Sequence, residues 1–260
     1  MTQDVSVTVA DHVQTIRFSR PHKKNAFTSV MYSAILAALK QADADGNIAV
    51  HVLAGSGGAF SAGSDIAEFL ARSQGSNDLS GPILDFIRYL PLIEKPVIAA
   101  VDGLAVGVGT TLLLHCDLVY ATPDSTFRTP FLDLGLVPEA GSSLLAPHRM
   151  GHARAFELLC LGEAFDAERA LAAGLVNRIV PAASLEAETL KSARRLAAKP
   201  PGALAAARKL MRGDPAGIMA QIKAEGVVFA ERLASPEAKE AFAAFMEKRP
   251  PDFSRFRTPG

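Results

Sequence analysis

Hydrophobic and polar positions alternate with period two on both sides of Ala10-Asp11-His12, in the stretch "VSVTVADHVQTIRF" that begins at Val5. That pattern predicts a β-hairpin. From Thr28 the period becomes helical, in "TSVMYSAILAALKQADAD", ending before Gly46 with Thr28 or Ser29 as the cap. "IAVHVLAG" is a near-continuous apolar run and predicts a buried strand. "SGPILDFIRYLPLIEK" predicts an amphipathic helix stopped by Pro96. A strand in "PVIAAVDG", a small-residue helix in "VGVGTTLLLHC" and strands in "DLVYAT" and "STFRTP" follow. Beyond them "SLLAPHRMG", "HARAFELLCLG" and "DAERALAAG" read as short helices closed by glycine, and "LVNRIVP" as a brief strand. From Ala183 only helical blocks remain, separated by Pro200-Pro201, Gly213–Pro215 and Pro236. The expectation is an α/β core over residues 1–182 and a helical region over 183–260.

Composition narrows the function classes. The chain has 260 residues, 49% hydrophobic and 21% charged, with 27 Lys+Arg against 27 Asp+Glu. A neutral balance speaks against a general nucleic-acid or membrane-surface binder. Cys116 and Cys160 form no CxxC pair, which fits a reducing compartment and no structural zinc. The N-terminal stretch lacks the basic-then-apolar signature of a signal peptide, and "RTPG" is not a peroxisomal address. The longest apolar stretch, Val97–Tyr120, is interrupted by Asp102, His115 and Asp117. A soluble cytoplasmic protein is the expectation.

Two glycine-rich loops carry the candidate chemistry: "GGAFSAGSDI" after one buried strand and "DGLAVGVGTT" after another. Glycine lets backbone approach a ligand closely, and a helix N-terminus presents unpaired N–H donors. Side by side, such loops can aim two N–H groups at one oxygen. A dinucleotide fingerprint is the weaker reading, because "GVGTTL" puts Leu112 where the third glycine belongs. A serine nucleophile at Ser61, Ser142 or Ser143 lacks the G-x-S-x-G elbow. Tight structural turns are the remaining alternative.

Taken in order, "RPHKKNAF", "AGSGGAFSAGSDI", "EKPVIAAVDGLAVGVGTTLLLHCDLVYAT", "FRTPFLDLGLVPEAGSSLLAPHRMG", "GEAFDAERALAAGLVNRIVP" and "AFMEKRPPDF" resemble the enoyl-CoA hydratase/isomerase (crotonase) superfamily over nearly the whole chain. The resemblance implies a ClpP-like spiral of ββα units with a C-terminal helical region that packs homotrimers or hexamers. It implies an acyl-CoA thioester as substrate, coenzyme A being part of that substrate and no separate cofactor or metal being needed. It places the oxyanion donors at the backbone N–H groups of Ala62 and Val108. It assigns CoA-ester contacts to Lys23, Asn25, Ala26, Ser61, Gly63, Ser64, Asp65, Ile66 and Gly107, and to Phe245 and Lys248 near the C-terminus. Asp65 reads as a loop-orienting acceptor or helix cap before it reads as a catalyst.

The sequence departs from the hydratases of that superfamily at two positions. Where they place a pair of glutamates around a water, this chain has Thr111 and Phe131. A carboxylate does stand in "LGLVPEAGSS", at Glu139, a stretch similar to isomerases of the peroxisomal 3,2-trans-enoyl-CoA type. A double-bond shift needs one base, and apolar walls at Phe131, Leu134 and Leu136 would raise its pKa toward a useful range. Alternatives from the resemblance are a hydratase, an epoxide or oxepin isomerase acting on an aromatic CoA ester, and a non-catalytic CoA-ester or RNA-binding relative. The last uses a lysine-rich helix, and Ser29–Ala44 contains only Lys40.

Overall fold

The computed structural model describes residues 3–68 and 81–257; Ser80 of the predicted amphipathic helix and Thr258-Pro259-Gly260 of "RTPG" lie outside them. The alternating N-terminal runs form β1 (Val5–Ala10) and β2 (Val13–Phe18), paired antiparallel with Ala10 opposite Val13. Asp11 (φ 53°) and His12 (φ 62°) make the left-handed two-residue turn that matches strand twist. Helix α1 (Ser29–Asp43) starts at Thr28, whose hydroxyl accepts the Met31 N–H.

The core is a spiral of strand pairs. In each turn the first strand joins one sheet and the second joins another. β3 (Val50–Ala54), β5 (Val97–Val101) and β7 (Leu118–Ala121) run parallel in a six-stranded sheet of order β1-β2-β3-β5-β7-β10, closed by β10 (Arg178–Ile179). Their partners β4 (Ala59–Ser61), β6 (Leu104–Val106) and β8 (Thr126–Arg128) run parallel in a four-stranded sheet completed by antiparallel β9 (Phe165–Asp166). β3 and β5 are buried at every position because the large sheet is covered on both faces. Leu53, Ala99 and Val119 face the main core, whereas Val52 and Ile98 pack with Ala193 of the helix Ala182–Ala197 on the other side.

Several expectations change. β4 and β6 lie inside what read as glycine loops; strands of three residues are too short to show a period. The amphipathic helix is α2 (Pro82–Tyr89), cut short by a 3₁₀ turn at Leu90–Leu92 around Pro91. The small-residue helix is a single turn, α3 (Val108–Thr111), running into 3₁₀ at Leu112–His115.

After α4 (Ser142–Met150), α5 (His152–Phe156), continued by a π turn through Leu161, and α6 (Ala167–Ala172), the chain is helical as expected. The C-terminal helices are α7 (Ala182–Ala197), α8 (Pro201–Arg212), α9 (Ala216–Leu233) and α10 (Pro236–Glu247). Ile222, Ala238 and Phe242 belong to the same apolar cluster as Ile16 and Phe60, so α9 and α10 share the main core rather than standing apart from it.

Candidate active site

The site is built where the second sheet ends. β4 and β6 pair in parallel with Ser61 opposite Ala105, so the chain leaves both strands in the same direction and side by side. The two segments then touch backbone to backbone. A Cβ on Gly63 (φ +87°) would lie 2.8 Å from the Val106 carbonyl oxygen, and one on Gly109 2.8 Å from that of Ser61. No side chain fits at either place, which is why this stretch of sequence is so bare.

Most N–H groups in this double turn are engaged. Ala62 donates to the Lys24 carbonyl (2.8 Å), Gly63 to Ser61 Oγ (3.1 Å), Asp65 to the Phe27 carbonyl (2.8 Å) and Gly107 to the Arg128 carbonyl (2.8 Å). The N–H groups of Ser64 and Val108 have no partner among the described residues, and both residues line one cavity. Val108 opens α3, where the first N–H has no acceptor within the helix. The expectation at Ala62 is therefore corrected. Its N–H is already satisfied by Lys24, and the free donor sits at Ser64.

The cavity, about 190 Å³, is walled by Ile83 and Ile87 of α2, Phe131, Leu134 and Leu136 after β8, and Ile222 and Phe229 of α9. Glu139 stands in this apolar wall. Its Oε1 accepts the Thr111 hydroxyl, while Oε2 is buried with no hydrogen-bond partner among the described residues. Desolvation pushes the carboxyl up to about 8; the Thr111 hydrogen bond works against that rise and the charge of Glu225 adds to it. Thr111 thus holds this carboxylate. The cavity is thus lined by two residues whose N–H groups have no partner among the described residues and by one desolvated carboxylate.

Of the residues singled out in the sequence, Ala62, Gly63, Ser64, Ile66, Gly107, Val108, Phe131, Leu134, Leu136 and Glu139 come together around this cavity. The others do not reach it as contacts. Asn25 is buried beneath the loop, accepting the Arg20 N–H and donating to the Ser56 and Ala59 carbonyls. Ser61 is buried too, donating to the Asn25 carbonyl. Both shape the first loop from below. Asp65 accepts from Arg20 at 2.7 Å and from the N–H groups of Ala67 and Glu68, which hold its carboxyl below the usual range against partial desolvation. Lys23 and Ala26 lie on the outer side of the same turn, and Phe245 and Lys248 are exposed on and after α10.

Two site residues escape a sequence reading. Tyr32 lines the cavity, and its hydroxyl is 2.7 Å from Ser64 Oγ; burial pushes the phenol above its ordinary pKa, so it stays neutral beside Glu139. Glu225 is a second carboxylate in the wall, but its oxygens accept from Gly141 N–H (2.6 Å) and from Ser143 N–H (3.0 Å) and hydroxyl (2.5 Å). The signal for it was present: Ile218, Ile222, Glu225, Phe229 and Leu233 form one helical stripe, apolar except for the glutamate.

The family model for enoyl-CoA hydratase/isomerase matches residues 8–256. The chain belongs to that family. It is 35% identical to enoyl-CoA delta isomerase 2 of Rattus norvegicus over 96% of this chain, and it spans 65% of that longer protein. It is also 35% identical to a probable enoyl-CoA hydratase of Rhizobium meliloti (strain 1021), covering 93% of this chain and 94% of the relative. A crystal structure of an enoyl-CoA hydratase/isomerase from Pseudoalteromonas atlantica T6c matches with a TM-score of 0.91 at 40% identity, covering 96% of this chain and 99% of that one. Isomerase and hydratase relatives stand at equal identity, so the family is shown and the reaction within it rests on the site. No helix among the described residues is long and apolar enough to cross a membrane, and none of their side chains group as a metal site.

Proposed function

We propose that this protein shifts the double bond of a 3-enoyl-CoA to the 2-position, with Glu139 as the single base. The observation that carries the reading is the cavity's division of labour: one carboxylate with a free, desolvated oxygen, and two free N–H groups on the adjoining wall. The thioester oxygen binds the N–H groups of Ser64 and Val108. Glu139 takes a proton from C2, and the C–H electron pair becomes the C1–C2 π bond of a dienolate whose charge rests on that oxygen. Donors fixed in advance favour this charge over the neutral thioester. The protonated Glu139 then returns its proton to C4. The carbonyl re-forms, the C2–C3 double bond is left, and the base is regenerated. Glu225 does not compete as the base, since its oxygens are held by three donors. At Thr111 and Phe131 there is no carboxylate to activate a water, which argues against efficient hydration.

The test is a pair of substrates. 3-Hexenoyl-CoA is isomerised, and crotonyl-CoA is hydrated slowly or not at all. Brisk hydration of crotonyl-CoA overturns the reading. The same reading includes self-association. Leu210 and Met211 of α8 are 85% and 88% exposed, apolar surface suited to a second copy. Light scattering that returns the 27.4 kDa monomer mass at micromolar concentration rules that part out.

A further inference from the structure

The turn that follows Glu139 is strained and held from two sides. Ala140 (φ +58°) and Gly141 (φ +70°) are successive left-handed residues, and the first carries a Cβ. A non-glycine residue keeps that conformation only where its surroundings impose it. On one side His115, at the end of the 3₁₀ turn after α3, lies 2.7 Å from the Ala140 carbonyl through Nε2. A carbonyl only accepts, so Nε2 carries the proton, and burial pushes the ring down to about 3 and keeps it neutral. On the other side α9 delivers Glu225, whose Oε2 takes Gly141 N–H and whose Oε1 takes Ser143 N–H and hydroxyl. Gln221, one turn earlier on α9, donates to the same hydroxyl at 2.9 Å. Desolvation pushes the Glu225 carboxyl above the usual range, and its bonds to Gly141 and Ser143, all from donors, work against that rise and favour the carboxylate.

We propose that Glu225 is the positioning residue of this site: by gripping Gly141 and Ser143 it sets the Ala140–Gly141 turn and aims the free oxygen of Glu139 into the cavity. The proposal rests on Glu139 being the working base. It makes α9, well inside the C-terminal helical region, a part of the catalytic apparatus rather than only a wall or an assembly surface. Glu225 also acts through its charge, which adds to the desolvation that keeps Glu139 protonated to higher pH. The other polar groups facing Glu139 leave this role to Glu225: Tyr32 from α1 and His115 beneath Ala140 are neutral, and Thr111 from α3 is a hydroxyl donor.

Two variants of the full chain separate position from charge. Glu225→Gln keeps the reach and loses the charge; Glu225→Asp keeps the charge and loses the reach. For both, kcat on 3-hexenoyl-CoA is expected to fall roughly 10- to 100-fold with KM within about threefold, the signature of a misaimed group. In ¹³C NMR titrations of labelled glutamate, with Glu139→Gln used to assign the signal, the Glu139 midpoint moves to lower pH in Glu225→Gln and stays raised in Glu225→Asp. A kcat within about twofold of wild type in both variants with an unmoved midpoint overturns the proposal, as does a loss carried by KM alone. Should Glu225→Gln fail to fold, the aspartate variant decides: lost kcat at constant KM supports the grip, and retained kcat refutes it. If Glu139→Gln still isomerises, the isomerase reading fails by itself, while the NMR midpoint continues to report whether Glu225 controls Glu139.

Discussion

The two poles of the cavity are made in different ways. The proposed donor pole, Ser64 and Val108, consists of backbone alone and follows from a single strand pairing: β4 and β6 run parallel and end together. The carboxylate pole is a side chain held by residues far apart in sequence, Thr111 directly and His115 and Glu225 through the following turn. A backbone N–H survives almost any substitution except proline, whereas the carboxylate pole depends on several side chains at once.

Removing the base is the largest expected break. Glu139→Gln keeps size and a hydrogen bond to Thr111 but cannot take the C2 proton. Isomerisation of 3-hexenoyl-CoA should fall by roughly two to four orders of magnitude, with binding of the CoA ester little changed. Turnover equal to wild type would sink the assignment.

Breaking the other pole comes next. Val108→Pro deletes one donor N–H, and first-turn proline suits a helix start. A loss of roughly a hundred- to a thousandfold in kcat is expected, about 3 kcal/mol. A CoA-ester analogue that forms no enolate should bind nearly as before. A folded Val108→Pro protein with full turnover shows that this N–H is not a donor to the substrate.

The balance between the poles is sharpened by pH. Glu139 must be ionised to act, and burial holds its carboxyl up at about 8, so kcat/KM should rise with pH through about 8 and then level off. Thr111→Val removes the hydrogen bond that opposes that rise, so the acid limb should move to higher pH; a limb that stays in place means Thr111 does not hold the carboxylate in solution.

The smallest effect is on stability. The folded-state pKa of Glu139 lies above the ordinary 4.5, so its proton-linked stability is complete below about 4.5 and is lost as pH rises through about 8. Glu139→Gln, neutral throughout, should therefore gain in Tm over wild type as pH climbs, most clearly near pH 9. A Tm difference that stays constant with pH contradicts the burial of this carboxyl.

Much of this was legible in the chain itself. Period-two alternation located the hairpin, continuous apolar runs located β3 and β5, and proline and glycine marked the ends of the C-terminal helices. The glycine loops announced close backbone approach, and the isolated carboxylate in "LGLVPEAGSS" pointed to Glu139. What failed did so for physical reasons. The sequence does not reveal which N–H groups the fold satisfies, and the partner of Ala62, the Lys24 carbonyl, comes from a separate turn. Asn25 and Ser61 brace the first loop from below through their side chains, a role that composition does not distinguish from facing a ligand.

The sequence by itself determined the family, the alternation of strands and helices and the position of one candidate base. These depend on local periodicity, on residues without side chains and on a linear order of motifs. Only the tertiary structure decided which two N–H groups are free, that Thr111 and Glu225 bracket Glu139, and that α9 completes the cavity. Each of those facts is a contact between segments 28 or more residues apart, and its strength depends on how much water the fold excludes from it.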